Sequence, residues 1–237
     1  MSVVAAPQQL TLPVGLRDDA TFANFYGQQN VELLAHLAKM ACGTGEQYLY
    51  FWGQAGVGRS HLLQAVCHQA VATMQTCFYL PLACKEVSNP QILEGLEQIQ
   101  VVCIDDVDLI AGIPAWEEAL FHFYNCIQIT GNRLIVTAQH PAPHLNLQLA
   151  DLVSRLNAGL SLHLPDLTDD EKLQALQLRA KARGINLSSA VGKYLLLHCS
   201  RSLAHLFQIL QRLEEASLIA KHRLTIPFVK AVLSNAG

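Results

Sequence analysis

Gly53-Gln54-Ala55-Gly56-Val57-Gly58-Arg59-Ser60 follows the aromatic, apolar run Tyr48-Leu49-Tyr50-Phe51-Trp52 and opens into His61-Leu62-Leu63-Gln64-Ala65-Val66. Buried strand, glycine-rich turn and helix, in that order, are the context a phosphate-binding loop requires. Gly53, Gly56 and Gly58 admit backbone conformations closed to residues with a β-carbon, so N–H groups along the loop, including that of Val57, can turn toward phosphate oxygens. The helix that begins here, with His61 in its first turn, adds a partial positive charge. Ser60 would give its hydroxyl to Mg²⁺. Arg59 stands where lysine is expected and would meet the β-phosphate with a planar fork, a change that spares binding more readily than transition-state geometry. The bland alternative is a strand-to-helix turn that binds nothing.

The surrounding chain reads as α/β. Strands are expected at 48–52, 76–80, 100–104, 133–138 and 160–164, with helices near 60–73, 90–98, 115–129 and 145–157 between them. This alternation implies a parallel five-stranded sheet covered on both faces. After Pro165-Asp166-Leu167 the pattern turns wholly helical. Thr168-Asp169-Asp170-Glu171 is a capping box, a helix runs from it to Arg183 and stops at Gly184, and Ser188 or Ser189 caps the next. Residues 201–221 form a third helix, and Thr225 with Pro227 starts a short fourth. The expected organisation is a mobile tail over 1–20, an α/β nucleotide-binding domain over 21–165 and a small all-α domain over 166–237.

The 237 residues are 51% apolar, enough for a substantial core. No apolar stretch approaches the length of a membrane span, and no secretory leader is evident. Seven cysteines without a Cys-x-x-Cys pair read as reduced core thiols of a cytoplasmic protein. The ten histidines fall in no metal-binding pattern, and prolines separate His140 from His144. Charge is uneven: net −7 over residues 1–165 and net +4 over 166–237. The basic half reads either as solvated helical faces or as a weak DNA-facing surface.

Val101-Val102-Cys103-Ile104 ends in Asp105-Asp106. Behind a phosphate loop, such a pair offers Asp105 to the Mg²⁺ shell and Asp106 to orient or deprotonate an attacking water. Either carboxylate could instead simply cap the following turn. Thr137 ends the strand 133–138 and could touch the γ-phosphate or the water, or merely cap the next element. Arg155 sits near a helix C-terminus, where an arginine is ordinarily a partner of the helix dipole.

Strand, phosphate loop, acidic strand, polar-ended strand, arginine and helical lid resemble the AAA+ nucleotide-binding module over residues 21–237. Thr21-Phe22-Ala23-Asn24-Phe25, Gly58-Arg59-Ser60-His61-Leu62-Leu63 and Asp151-Leu152-Val153-Ser154-Arg155-Leu156 resemble the DnaA family of replication initiators. Length and lid sequence are similar to the short DnaA-related factors that inactivate the initiator. That resemblance implies a negative regulator of chromosomal replication initiation in the bacterial cytoplasm, near the nucleoid. It would hold ADP (or ATP) with Mg²⁺, have weak ATPase activity of its own, and supply Arg155 in trans to hydrolyse ATP on DnaA. Gln9-Leu10-Thr11-Leu12-Pro13-Val14 resembles the peptide by which such proteins bind the sliding clamp, the β subunit of DNA polymerase III. Gln9, Leu10, Leu12, Pro13 and Val14 would make that contact, with DNA reached mainly through the clamp. The module commonly buries its nucleotide between neighbours, which leaves homo-oligomerisation open.

Two departures stand out. Ala204 lies where the initiator carries an arginine that reaches back to the nucleotide, leaving Arg201 as the candidate substitute. Gln139 lies where the family carries an acidic residue. Both weaken γ-phosphate sensing. The competing functional reading is a helicase-loader-like ATPase that binds single-stranded DNA.

Overall fold

A computed structural model describes residues 16–200, 202–220, 222 and 224–234. Five parallel strands, β1 (Tyr48–Trp52), β2 (Cys77–Pro81), β3 (Val101–Asp105), β4 (Arg133–Ala138) and β5 (Leu160–His163), form one sheet in the order β2-β3-β4-β1-β5. The inner strands read as near-continuous apolar runs because both faces are covered. Alternation of side chains along each strand divides the core in two. Tyr48, Tyr50, Val102, Ile104, Leu134 and Val136 face helices α3 (Pro114–Thr130) and α4 (Ala150–Asn157). Leu49, Phe51, Val101, Cys103 and Ile135 face α1 (Val31–Ala41) and α2 (Arg59–Ala72).

The expected strands are all present, shifted by at most a residue at their ends. Two expected helices differ. Residues 90–98 form two 3₁₀ turns, Pro90–Leu93 and Leu96–Gln98, parted by Gly95 at φ 86°. A left-handed residue there breaks the α-helical ladder. The helix expected from 145 begins at Ala150. Upstream, Pro141 and Pro143 shape a 3₁₀ turn, Ala142–His144. The N–H groups of Gln148 and Leu149 then donate to Glu117 Oε2 (2.8 and 2.7 Å). Glu117 is 1% exposed and accepts a third bond at Oε1 from the Gly112 N–H (2.8 Å).

The C-terminal part is helical: α5 (Asp169–Ala182), α6 (Ser189–His198), α7 (Leu203–Ala220) and α8 (Ile226–Ser234) enclose their own core around Leu176, Leu195, Leu206, Leu210 and Leu213. The capping box forms as expected, with Thr168 Oγ1 accepting from Glu171 N and Glu171 Oε2 accepting from Thr168 N. Ser188 is the cap of α6. No helix among the described residues is long and apolar enough to cross a membrane.

The cysteines differ in part from the core-thiol expectation. All seven are free, but Cys42 and Cys126 are exposed, because α1 ends at Ala41 and Cys126 lies on the solvent face of α3.

Glu117→Ala would strand three N–H groups around a buried carboxylate site. Urea unfolding should show a loss of about 3 kcal/mol or more, with Glu117→Gln losing less.

Candidate nucleotide site

The glycine loop follows β1 at the carboxyl edge of the sheet, and its last glycine is the residue before α2. Gly58 has φ 109°, and a β-carbon there would lie 2.8 Å from the Phe25 ring. The loop thus needs glycine both for its turn and for the close crossing of the segment 21–26. Gly53 donates its N–H to Ala138 O (3.1 Å), and a β-carbon on it would meet Leu164 O at 2.3 Å. The loop is pinned between β4 and the chain leaving β5.

A cleft of about 210 Å³ lies over this loop. Gly56, Val57, Gly58, Arg59, Ser60 and His61 form its floor. Phe25 and Tyr26 come from the crossing segment, and Leu167, Ala175, Leu203 and Phe207 from the helical side. One wall offers backbone N–H groups at a helix start and the other offers apolar and aromatic surface, the combination that suits a phosphate chain joined to a planar base. The His61 imidazole donates from Nε2 to Thr21 O (2.9 Å) and lies 5.7 Å from the Phe25 ring. Burial, aided by Arg17 and Arg179, holds its pKa below the usual range despite that bond. It fastens the crossing segment as a neutral group.

The acidic end of β3 is a worked hydrogen-bond cluster. Asp105, 2% exposed, accepts from Thr137 Oγ1 at Oδ1 (2.5 Å) and from Tyr79 Oη at Oδ2 (2.8 Å). The pKa of the Tyr79 hydroxyl is raised chiefly by burial and by Asp105, with nearby Gln64 and Ser60 acting in the other direction. Ser60 and Asp105, the two residues expected around Mg²⁺, therefore share one neighbour. Thr137 also accepts from the Asp106 N–H (3.1 Å). Its hydroxyl proton is directed at Asp105, a role sequence reasoning did not foresee.

Arg59 and Asp106 meet one another. Arg59 Nη1 lies 2.8 Å from Asp106 Oδ1 and 4.0 Å from Asp108 Oδ1, with the guanidinium side chain 7% exposed. The pair is close but out of hydrogen-bonding alignment at both atoms. Asp106 occupies the left-handed region at φ 60°, an unusual place for a residue with a side chain. Its carboxyl is pushed up to about 6, first by burial and then by Asp105, against the pull of Arg59. Asp108 accepts from the Gln139 N–H (3.1 Å) and from Gln139 Nε2 (3.2 Å). Glutamine in the place of an acidic residue thus becomes a donor to β3's end. Tyr79 and Asp108 escaped the sequence reading, as did the pairing of Gln139 with Asp108; the spacing Asp105-Asp106-Val107-Asp108 was the available signal for Asp108.

Arg155 stands elsewhere. It is exposed in the last turn of α4, with its guanidinium carbon 6.0 Å from the Tyr124 ring centre. The next residue, Leu156, accepts through its carbonyl from Tyr48 Oη (3.0 Å). Tyr48 is the first residue of β1 and the loop follows the last, so the two lie at opposite ends of a strand about 16 Å long. Arg201 and residues 9–14 lie outside the described residues. On the helical side, Arg179 pairs with Asp19 and lies 4.3 Å over the Phe207 ring, and Arg183 bridges to Glu214 Oε2 (2.7 Å). Tyr26 Oη donates to Gln174 Oε1. These contacts join the two parts of the chain beside the cleft.

A parallel sheet in this order, with a glycine loop after the strand next to its edge and a helical domain closing over it, defines a P-loop protein of the AAA+ class. Residues 16–163 match the bacterial DnaA ATPase domain family. The chain belongs to that family, and residues 169–233 match the Hda lid domain, which makes it an Hda-like, DnaA-related AAA+ protein. Among solved structures, domain III of the replication initiation protein DnaA from Thermotoga maritima is similar with a TM-score of 0.79 at 19% identity, covering 94% of this chain and 98% of that one. AMPPCP-bound DnaA from Aquifex aeolicus has a TM-score of 0.68 at 20% identity, over 83% of this chain and 66% of that one. The Thermotoga maritima RuvB Holliday junction branch migration motor has a TM-score of 0.66 at 17% identity, over 91% and 71%. At these identities the likeness is one of fold.

The raised Asp106 pKa carries a sign. Its folded value of about 6 exceeds the ordinary 3.8, so the folded chain binds the proton first on acidification. Its contribution to stability should fall as pH rises from about 4 to about 6 and be flat outside that window. Asp106→Asn, which also tolerates the left-handed conformation, should remove that slope in stability measured against pH. Equal slopes would place the titration on another group.

Proposed function

We propose that this protein holds ADP in the cleft and acts on a second nucleotide, one bound to DnaA, to which it supplies Arg155 in trans. The observation that carries this reading is the separation of Arg155 from the chain's own loop, together with its exposure on a helix end. The division into a nucleotide-binding domain over 21–165 and a lid over 166–237 belongs to the same proposal. The phosphates would lie on the N–H groups from Gly56 to Ser60, with Gly53 shaping the turn while its own N–H is held by Ala138 and His61 securing the wall. Ser60 and Asp105 would hold Mg²⁺, which when bound neutralises phosphate charge; their common neighbour, Tyr79, fits that role. Arg201 is the lid residue proposed to reach the phosphates.

Self-hydrolysis is disfavoured by the local chemistry. Asp106 is engaged with Arg59, so its carboxylate is not free to orient or deprotonate a water. Thr137 directs its hydroxyl at Asp105. The arrangement supports retention of a diphosphate as a ligand that sets the lid against the sheet. An arginine supplied by a neighbour stabilises charge that develops in phosphoryl transfer, and such a residue is worth about 10³ to 10⁵ in rate. Residues 9–14 would tether the protein to the sliding clamp on DNA, raising the local concentration of Arg155 without a new contact. This links inactivation of the initiator to ongoing replication and makes the protein a negative regulator of initiation.

The test is single-turnover hydrolysis of ATP pre-bound to DnaA, with this chain, ADP and DNA-loaded clamp. Arg155→Ala should abolish the stimulation while ADP and clamp binding persist. Stimulation by the mutant equal to that of the natural chain would remove Arg155 from the role. Strong hydrolysis by this chain alone, with salt-sensitive binding to single-stranded DNA, would favour a loader-type ATPase.

ADP at one hundred times its dissociation constant should stabilise the folded chain by about 2.7 kcal/mol, read as a shift in thermal unfolding. Deleting residues 9–14 should leave that shift intact and remove the dependence on clamp.

A further inference from the structure

Three thiols from three elements converge on the α2 side of the sheet: Cys67 of α2, Cys77 of β2 and Cys103 of β3. Their sulfurs lie within 4.8 Å of one another, and those of Cys67 and Cys77 are 3.1 Å apart. Cys103 and Cys67 are buried, whereas Cys77 is half-buried on β2, an edge strand of the sheet. Cys77 is therefore the least buried residue of the group. We propose that Cys77 and Cys67 form a reversible redox pair that responds to hydroperoxides, with Cys103 as the third thiol that positions Cys77.

The environments of the sulfurs suit distinct roles. The Cys77 thiolate is favoured first by the hydrogen bond from Cys103 and then by that from Cys67, against burial. Cys103 is held well above the usual thiol range by burial, so it remains a donor. At Cys67 the hydrogen bond from Cys103 pulls down, but bonding to Cys77 and burial together hold the thiol well up. The thiolate of the least buried residue is the nucleophile, and a protonated thiol in contact with it is the resolving partner.

The chemistry balances with a hydroperoxide as oxidant. The Cys77 thiolate attacks the peroxide oxygen, the O–O bond breaks, and Cys77 becomes a sulfenic acid as hydroxide or alkoxide leaves and takes up a proton. Cys67, giving up its proton, attacks the Cys77 sulfur. An S–S bond forms, the S–O bond breaks, and water leaves. Two thiols lose two electrons and two protons, and hydrogen peroxide becomes two waters. The sulfurs need close only from 3.1 Å to a bond of about 2.05 Å. The bond would tie α2 to β2 roughly 12 Å along the helix from Arg59, so the tie acts on the helix that begins at the phosphate loop.

The experiment treats the full reduced chain with hydrogen peroxide, quenches with an alkylating agent and maps peptides by mass. The expected product is a Cys67–Cys77 link that thiol reductant reverses, with Cys77 oxidised roughly tenfold faster than exposed Cys42 and Cys126. Cys67→Ser should halt the reaction at a Cys77 sulfenic acid, captured by dimedone, and Cys77→Ser should form no link. Cys103→Ala should slow the Cys77 reaction while the link still forms. Oxidation of Cys42 or Cys126 at the same rate as Cys77, or links only between molecules, would overturn the proposal. So would a soft metal ion that is retained by the three sulfurs through purification and protects them from alkylation; that outcome would make the cluster a metal site.

Discussion

A guanidinium that is almost wholly buried must have an opposite charge beside it, and Arg59 has Asp106. Removing one member of such a pair is strongly destabilising, on the order of 3–5 kcal/mol, although the pair itself need not add net stability. Its value here is positional. Arg59 is the first residue of α2, and Asp106 follows the last residue of β3. The ion pair therefore fixes the start of the loop helix against the acidic edge of the neighbouring strand. A lysine at this position would place a compact charge on a flexible stem, whereas the guanidinium brings its Nη1 near both Asp106 and Asp108.

Around that pair, three strands are tied through side chains. Tyr79 of β2 and Thr137 of β4 both donate to Asp105 of β3, so the carboxyl edge of the sheet is held by more than its backbone ladder. A carboxylate with two firm donors is oriented before any ligand arrives. The same bonds restrict what else it does, since its oxygens are already partly satisfied. Rigid placement of the acidic edge and a carboxylate with few free lone pairs are two aspects of one arrangement.

The strands were legible because β1, β3 and β4 are apolar over both faces and bounded by polar or turn residues. The loop was legible because glycine spacing reports a backbone requirement. Arg59's partner was not, because a motif specifies where a residue sits in the chain and not which way its side chain turns. The late start of α4 was hidden for a related reason. Apolar spacing continued through residues 145–149, but prolines and a distant carboxylate, Glu117, claimed the backbone there. The aromatic wall of the cleft was also out of reach, because Phe25, Tyr26 and Phe207 are brought together by the packing of one part of the chain on the other. The distance of Arg155 from the loop was hidden as well, because it is a matter of topology, carried by the contact of Tyr48 with Leu156.

Glu117 lends the molecule a mechanical property. One of its oxygens holds Gly112, just beyond the acidic edge of the sheet, and the other holds Leu149, the residue that introduces α4. Glu117 thereby ties the chain beyond Asp108 to the start of α4, while Tyr48 holds the other end of that helix through Leu156, so α4 and the Arg155 it carries are clamped at both ends.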